Sequence, residues 1–337
     1  MDGFVDTPVG PVPHIHTVLS KRDIIDTIAV RFGWHRYAYR VTPGLYAVGT
    51  PTPDSPVIVT ANYKLTFDVV RKELRHQNLW LLVADTRGIN VWCAAGKGLF
   101  STEEIVLSVR ESRLAEVVDH RELILPQLGA TGVAAHKVSK QSAFKVSYGP
   151  VQARDLPEFM EAGNVATQSM RTATFTLRER TELIPVELML LGKPLAIFIA
   201  VAFLLSGIGP DFLSLNNALI RSLVAGTTTI AAIITGAMLV PILLPYLPWR
   251  AFAPKGALLG FVAGIMCATW ADTGIGEGLA LVLWSIAIAS YLAMNFTGST
   301  PYTSPSGVEK EMRYWLPIQL GAAVVAVIIW AIAPFTA

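Results

Sequence analysis

The sequence predicts two bodies: an α/β domain built on a parallel sheet, followed by an all-α transmembrane domain of five helices. Three observations carry that reading. The chain has 337 residues, room for two domains of roughly 100–200 residues each. Charged residues make up 15% and hydrophobic ones 52%, with mean hydropathy +0.48, whereas a soluble domain carries about 25% charged residues. The charge is also uneven. Residues 1–180 hold 21 of the 27 Lys and Arg, 18 of the 25 Asp and Glu and all six His, while residues 181–337 are a series of apolar runs. This excludes disorder, and an ordinary soluble enzyme, as descriptions of the whole. A net charge of +2 argues against a nucleic-acid binder. Two cysteines, Cys93 and Cys267, make neither a disulfide framework nor a four-cysteine metal site.

Residues 1–50, rich in Pro and aromatic side chains, read as an irregular lead-in with one short helix near Asp23–Arg31. Residues 51–180 then alternate strand and helix. Pro56–Thr60 and Leu79–Ala84 are short, continuously apolar strands, with a helix over Thr66–His76 between them. Glu122–Leu128 starts another unit, Phe144–Tyr148 is a further strand and Leu156–Ala162 a helix. Near-continuous apolar strands separated by helices indicate a parallel sheet, whose ligands bind beyond the carboxyl ends of the strands. Three loops converge there: Ala61–Lys64, Asp85–Gly98 and Gly129–Lys140.

Residues 181–337 form the transmembrane domain, with spans near 190–208, 223–244, 256–271, 279–296 and 316–334; the third is short and could begin near Ala251. Arg250 and Lys255 lie in one short connection, Lys310 and Arg313 in another, and the loop with Asp272 and Glu277 has no Lys or Arg. The positive-inside rule therefore places the N-terminal domain in the cytoplasm and, across five spans, the C-terminus outside; Arg221 dissents. The expected location is a multi-pass protein of the cytoplasmic (inner) membrane. No ionisable group sits near the middle of a span and no inverted repeat is evident, so an anchor or docking platform is favoured over transport.

The loop Asp85–Gly98 contains Cys93. If Asn90 caps a helix, Cys93 falls in its first turn, where the positive end favours a thiolate, and Lys97 follows on the same face. A buried structural cysteine among small residues chosen for close packing explains the same spacing equally well. Other motifs fail: Gly96-Lys97 lacks the rest of a P-loop, and there is no dinucleotide fingerprint, H-E-x-x-H or G-x-S-x-G. His14 and His16 in the lead-in read as incidental.

The run Asn90-Val91-Trp92-Cys93-Ala94-Ala95-Gly96-Lys97 resembles the cap-helix signature of the membrane corrinoid proteins of anaerobic mercury methylation. These are akin to the corrinoid domain of the large subunit of the corrinoid iron–sulfur protein. Ala61-Asn62-Tyr63-Lys64-Leu65-Thr66-Phe67-Asp68 is similar to a segment of the same relatives, and a corrinoid domain followed by five spans is similar too. The resemblance implies a Rossmann-like, parallel-sheet corrinoid-binding domain with a cap helix. It implies a cobalamin-type corrinoid held base-off, with the Cys93 thiolate as lower axial ligand of cobalt. Asn90, Val91, Trp92, Ala94, Ala95, Gly96 and Lys97 would shape the cofactor face, with Thr60, Asn62 and Thr66 lining the pocket. The Asp-x-His-x-x-Gly motif of histidine-ligated corrinoid enzymes is absent, since Asp119 and His120 are adjacent.

The activity implied is a corrinoid-dependent methyltransferase that passes methyl from methyl-cob(III)alamin to Hg(II), forming methylmercury. A soft thiolate trans to the methyl group would favour its release in carbanion-like form. The alternatives are a methyl carrier for another acceptor in one-carbon metabolism, or a membrane transporter or receptor with a cytoplasmic ligand domain. A methylated folate or its methyltransferase would supply the methyl group. A ferredoxin-like protein with two [4Fe–4S] clusters would supply electrons, docking on a face that includes Lys137, Lys140 and Lys145 unless these are simply a solvated basic surface.

Overall fold

In a computed structural model, which describes residues 2–36, 38–210, 212–296 and 305–336, the chain divides into two compact units, Met1–Thr174 and Phe175–Ala337. The division falls six residues before the boundary expected between 180 and 181, because Phe175 and Leu183 pack among the apolar side chains of the second unit.

The first unit is built on a seven-stranded sheet among the described residues. Its elements run β1 Gly3–Thr7, β2 Gly10–His14, α1 Lys21–Arg31, β3 Gly44–Val48, β4 Val57–Ala61, α2 Lys64–Glu73, β5 Leu79–Ala84, α3 Val91–Gly96, α4 Thr102–Glu111, β6 Glu122–Leu125, α5 Ala135–Ser142, β7 Lys145–Tyr148 and α6 Leu156–Glu161. The strand order is β1-β2-β3-β5-β4-β6-β7. Strands β5, β4, β6 and β7 are parallel, as expected, but β3 runs antiparallel to β5 and β1 antiparallel to β2, so the sheet is mixed. Residues 1–50 are accordingly no irregular lead-in. Besides the expected helix, α1, their Pro-rich segments hide a hairpin and a strand whose residues Ala47 and Val48 are fully buried.

Alternation along the strands sorts the core. Val57, Val59 and Ala61 of β4 and Trp80, Leu82 and Ala84 of β5 face α3, α4 and α5. Ile58 of β4 and Leu79, Leu81 and Val83 of β5 face Phe67, Val70 and Leu74 of α2 and Phe159 of α6. The chain leaves β4 towards β5 on one side and returns through α3 and α4 to β6 on the other. The strand order therefore reverses between β4 and β6, which is the topological switch point where open α/β sheets bind ligands.

The second unit is helical: α7 Leu177–Thr181, α8 Ile184–Leu190, α9 Gly192–Ser206, α10 Leu215–Ile234, α11 Val240–Leu243, α12 Phe252–Trp270, α13 Ile275–Phe296 and α14 Pro305–Ile332. Among the described residues, four stretches are long and apolar enough to cross a membrane: Leu215–Tyr246, Phe252–Trp270, Ile275–Phe296 and Ser306–Phe335. A fifth arises if Leu177–Leu190 and Gly192–Ser206, bent by 48°, act as one span. The composition is that of a multi-pass membrane protein. The third span does begin near Ala251, whose backbone is extended before Phe252.

Close helix contact in this unit rests on a glycine at every fourth position of α12. A Cβ at Gly256, Gly260 or Gly264 would lie 2.4, 2.7 and 2.7 Å from backbone atoms of Ala289, Ser285 and Val282 on α13. Small residues at that spacing let membrane helices touch backbone to backbone. Arg221, the basic residue against the positive-inside pattern, is neutralised: its Nε lies 2.7 Å from Glu277 Oε1, its Nη1 donates to Ser206 O, and its guanidinium sits over the Trp330 ring.

Candidate functional site

The loops after β4, β5 and β6 leave the same edge of the sheet. Asn62, first residue after β4, ties two of them together. Its Nδ2 donates to Asp85 Oδ1 (2.8 Å), and its Oδ1 accepts from Thr86 N–H (3.0 Å), Thr86 Oγ1 (2.9 Å) and Gly88 N–H (2.9 Å). Thr86 Oγ1 also donates to Ile89 O, and Asp85 N–H donates to Glu104 Oε1 at 2.8 Å. Burial pushes the Glu104 carboxyl up, against the hydrogen bonds it accepts from Asp85 and Ser108. Asn62 is 1% exposed, so in this arrangement it is the knot that fixes the approach to α3 rather than a group facing an opening.

Asn90 caps α3 as its sequence position predicts: Asn90 Oδ1 accepts from Cys93 N–H at 2.9 Å. The helix divides its residues sharply. Val91, Ala94 and Ala95 are buried towards the sheet, Trp92 is half-buried, and Cys93, Gly96 and Lys97 are exposed. Close packing of small residues is seen on the buried face, but Cys93 is not the buried structural cysteine of that reading. Ala95 is small because Gly132 approaches it, and a Cβ at Gly132 would lie 3.0 Å from Ala95 Cα and 2.2 Å from Phe100 O. Ala94 and Ala95 thus do not lie on the open face. Cys93 is a free, exposed thiol, and a Cβ at Gly96 would meet nothing within 4 Å, so the space over that face is open. Lys97 is the C-cap, one turn after Cys93, with its N–H on the Cys93 and Ala94 carbonyls. With six residues, α3 serves chiefly to hold Cys93 in place.

Thr60 is buried in β4 and Thr66 half-buried in the first turn of α2. Tyr63, between them, escaped notice in the sequence beyond its place in the Ala61–Asp68 run. It is 5% exposed, it caps α2 with its backbone, and its hydroxyl has no hydrogen-bond partner among the described residues. Burial pushes the Tyr63 hydroxyl up; Arg36 and Arg31 oppose this, and charge at Cys93 adds to it.

Behind this loop lies a cluster of four charges. Lys64 Nζ lies 2.9 Å from Asp23 and 2.5 Å from Asp68, and Arg71 lies 3.0 Å from Asp23 and 2.7 Å from Asp68. Burial of Asp23 is outweighed by hydrogen bonds from Lys64, Ser20 and Arg71, which hold its carboxyl well below the usual range. The cluster clamps α1 to α2 and so braces the loop that carries Tyr63. No group of three or more His, Cys, Asp or Glu able to hold a metal ion occurs among the described residues. Lys137, Lys140 and Lys145 are exposed.

Residues 18–160 match the family model described as CO dehydrogenase/acetyl-CoA synthase delta subunit. The chain is 32% identical over 148 residues to the acetyl-CoA decarbonylase/synthase complex subunit gamma of Archaeoglobus fulgidus, covering 42% of this chain and 31% of that one. It is 41% identical over 93 residues to the same subunit of Methanocaldococcus jannaschii, covering 27% and 19%. It is 28% identical over 154 residues to the corrinoid/iron–sulfur protein large subunit of Moorella thermoacetica, covering 43% and 34%. Within its first unit the chain is thus similar to a family described by acetyl-CoA synthase, and it is similar to one protein named for a corrinoid. The relatives are matched over about a third of their length or less, and the family match lies within the first unit.

Proposed function

We propose that the chain is a membrane-embedded, corrinoid-dependent methyltransferase whose cofactor rests on the open face of α3, with Cys93 as cobalt's lower ligand and Hg(II) as methyl acceptor. The observation that carries the reading is a free, exposed thiol on an Asn90-capped helix at the carboxyl edge of a parallel sheet, within the run Asn90–Lys97. The residues present fit the group: the thiol of Cys93 is exposed and the face over Cys93 and Gly96 is open. When bound, the corrinoid supplies methyl-transfer chemistry at cobalt.

The chain's own residues do the rest. Asn90 and the Asn62 knot hold Cys93 at a fixed height above the sheet, and the thiolate is a soft, electron-rich donor. Trp92, exposed in part, flanks it. The second unit keeps the reaction at the membrane, with the first in the cytoplasm. Reducing electrons come from a ferredoxin-like protein with two [4Fe–4S] clusters, for which Lys137, Lys140 and Lys145 offer a basic landing face.

A methyl carrier for a carbon-metabolism acceptor is the second reading, favoured by the names of the relatives, which belong to acetyl-CoA decarbonylase/synthase. Substrate competition separates the two. Purified protein loaded with methylated corrinoid is given thiol-bound Hg(II), with and without an excess of a corrinoid/iron–sulfur-type methyl acceptor. Methylmercury formation that the acceptor does not suppress supports the first reading; methyl appearing only on the acceptor supports the second and removes the first.

A further inference from the structure

Helix α1 packs one side on the first unit and shows an apolar stripe on the other. Asp23 turns inward to Lys64 and Arg71, and Val30 is buried. Ile24, Ile25, Ile28 and Phe32, at helical spacing on the opposite side, are between 44% and 64% exposed. Gly33, at φ 85°, turns the chain so that Trp34 N–H donates to Ala29 O, and the exposed Trp34 follows at the helix end. Cations surround the stripe. Lys21 and Arg22 are exposed one turn before Ile24 and Ile25. Lys72 and Arg75, at the end of α2, line a cavity of about 630 Å³ with Val18 and Ile24. These four cations face two carboxylates: Asp26, 3.9 Å from Arg22, and Glu73, 3.5 Å from Lys72. Exposed apolar patches of this kind mark interaction or membrane sites. An apolar stripe rimmed by Lys and Arg is the pattern of a helix lying in the lipid interface, where Trp is enriched. Two features favour lipid over a protein surface. The net positive rim is complementary to anionic headgroups, and the chain's own span-length helices keep a bilayer at high effective concentration.

We propose that α1 docks the first unit on an anionic lipid surface. Ile24, Ile25, Ile28 and Phe32 enter the boundary between headgroups and acyl chains, while Lys21, Arg22, Lys72 and Arg75 meet lipid phosphates. The contact is a second hold on the membrane besides the spans, and its charged part is weakened by salt. This rests on the second unit being membrane-embedded and is independent of the corrinoid reading.

The test uses the full chain with Cys93→Ser and Cys267→Ser, carrying a nitroxide through Ile28→Cys or, as a control on exposed α4, Glu111→Cys. Each is placed in nanodiscs of phosphatidylcholine with or without phosphatidylglycerol, and collisions with oxygen and with a water-soluble nickel chelate are measured by spin resonance. Unfolding midpoints matching the unlabelled chain show that both labelled proteins are folded. With phosphatidylglycerol present, the label at position 28 should lose most of its chelate collisions and gain oxygen collisions, while the label at position 111 does not change. Lys21→Gln with Arg22→Gln should return position 28 towards water. A label at position 28 that stays as open to the chelate as the one at 111 overturns the proposal. Equal immersion without phosphatidylglycerol overturns the anionic-lipid assignment. Shielding that appears in detergent alone, or only on adding a ferredoxin-like protein, shows that protein covers the stripe and also overturns it. Release of wild type from membranes by alkaline carbonate without detergent removes the membrane reading itself, an outcome distinct from the others.

Discussion

At the scale of single residues, Asn62 and Asp23 shape the site without being exposed to it. Asn62→Ala would strand two buried backbone N–H groups, those of Thr86 and Gly88. We expect a loss of about 3 kcal/mol, with faster proteolysis within Asp85–Gly98; unfolding and limited digestion of the variant check both. Asp23 predicts a pH dependence whose sign is fixed. Its carboxyl is depressed in the folded protein, so its contribution is fully present above the unfolded value of about 4 and fades as pH falls towards the folded value. Wild-type stability should therefore drop in acid below about pH 4. Asp23→Asn should be less stable by about 2 kcal/mol at pH 7 and show a flatter acid limb, because Lys64 and Arg71 lose a partner they share with Asp68. A parallel acid limb in both proteins would contradict this.

At the scale of elements, α3 is held from both sides: by its Asn90 cap and by the close approach of Gly132. Gly132→Val would drive a side chain into Phe100 O and Ala95, so it should cost about 3 kcal/mol and raise hydrogen exchange across Val91–Gly96, read by mass spectrometry. Much of this element was legible in the sequence, since Asn before an apolar-small run is a helix start, and Leu79–Ala84 was read to the residue. The burial direction was not legible: six residues give too little periodicity to tell Ala94 and Ala95, which face the sheet, from Gly96, which does not. The hairpin and β3 escaped because Pro and Gly dominate their flanks, and an antiparallel addition to a parallel core leaves no mark in the helix–strand rhythm. The unpaired Tyr63 hydroxyl could not be read at all, since pairing is a property of the packed neighbours.

At the scale of the whole molecule, each unit carries its own stabilising logic. The helical unit depends on the Gly256, Gly260 and Gly264 row and on Arg221, which binds Glu277 and the carbonyl of Ser206. Arg221→Ala should lower its thermal stability by about 3 kcal/mol by leaving Glu277 without its cation, while Arg221→Met with Glu277→Met recovers most of the loss in a detergent melt. The Gly row was not read from the sequence although its four-residue spacing stands there, and the Arg221–Glu277 pair, 56 positions apart, leaves no local pattern to read. The measurement that bears most directly on the central claim uses the whole chain. Purified anaerobically in detergent after corrinoid loading, wild type and Cys93→Ala are compared by cobalt content and absorbance. About one cobalt per wild-type chain is expected, with bands that shift when Cys93 is replaced. No bound cobalt in either protein, or identical spectra in both, would contradict it.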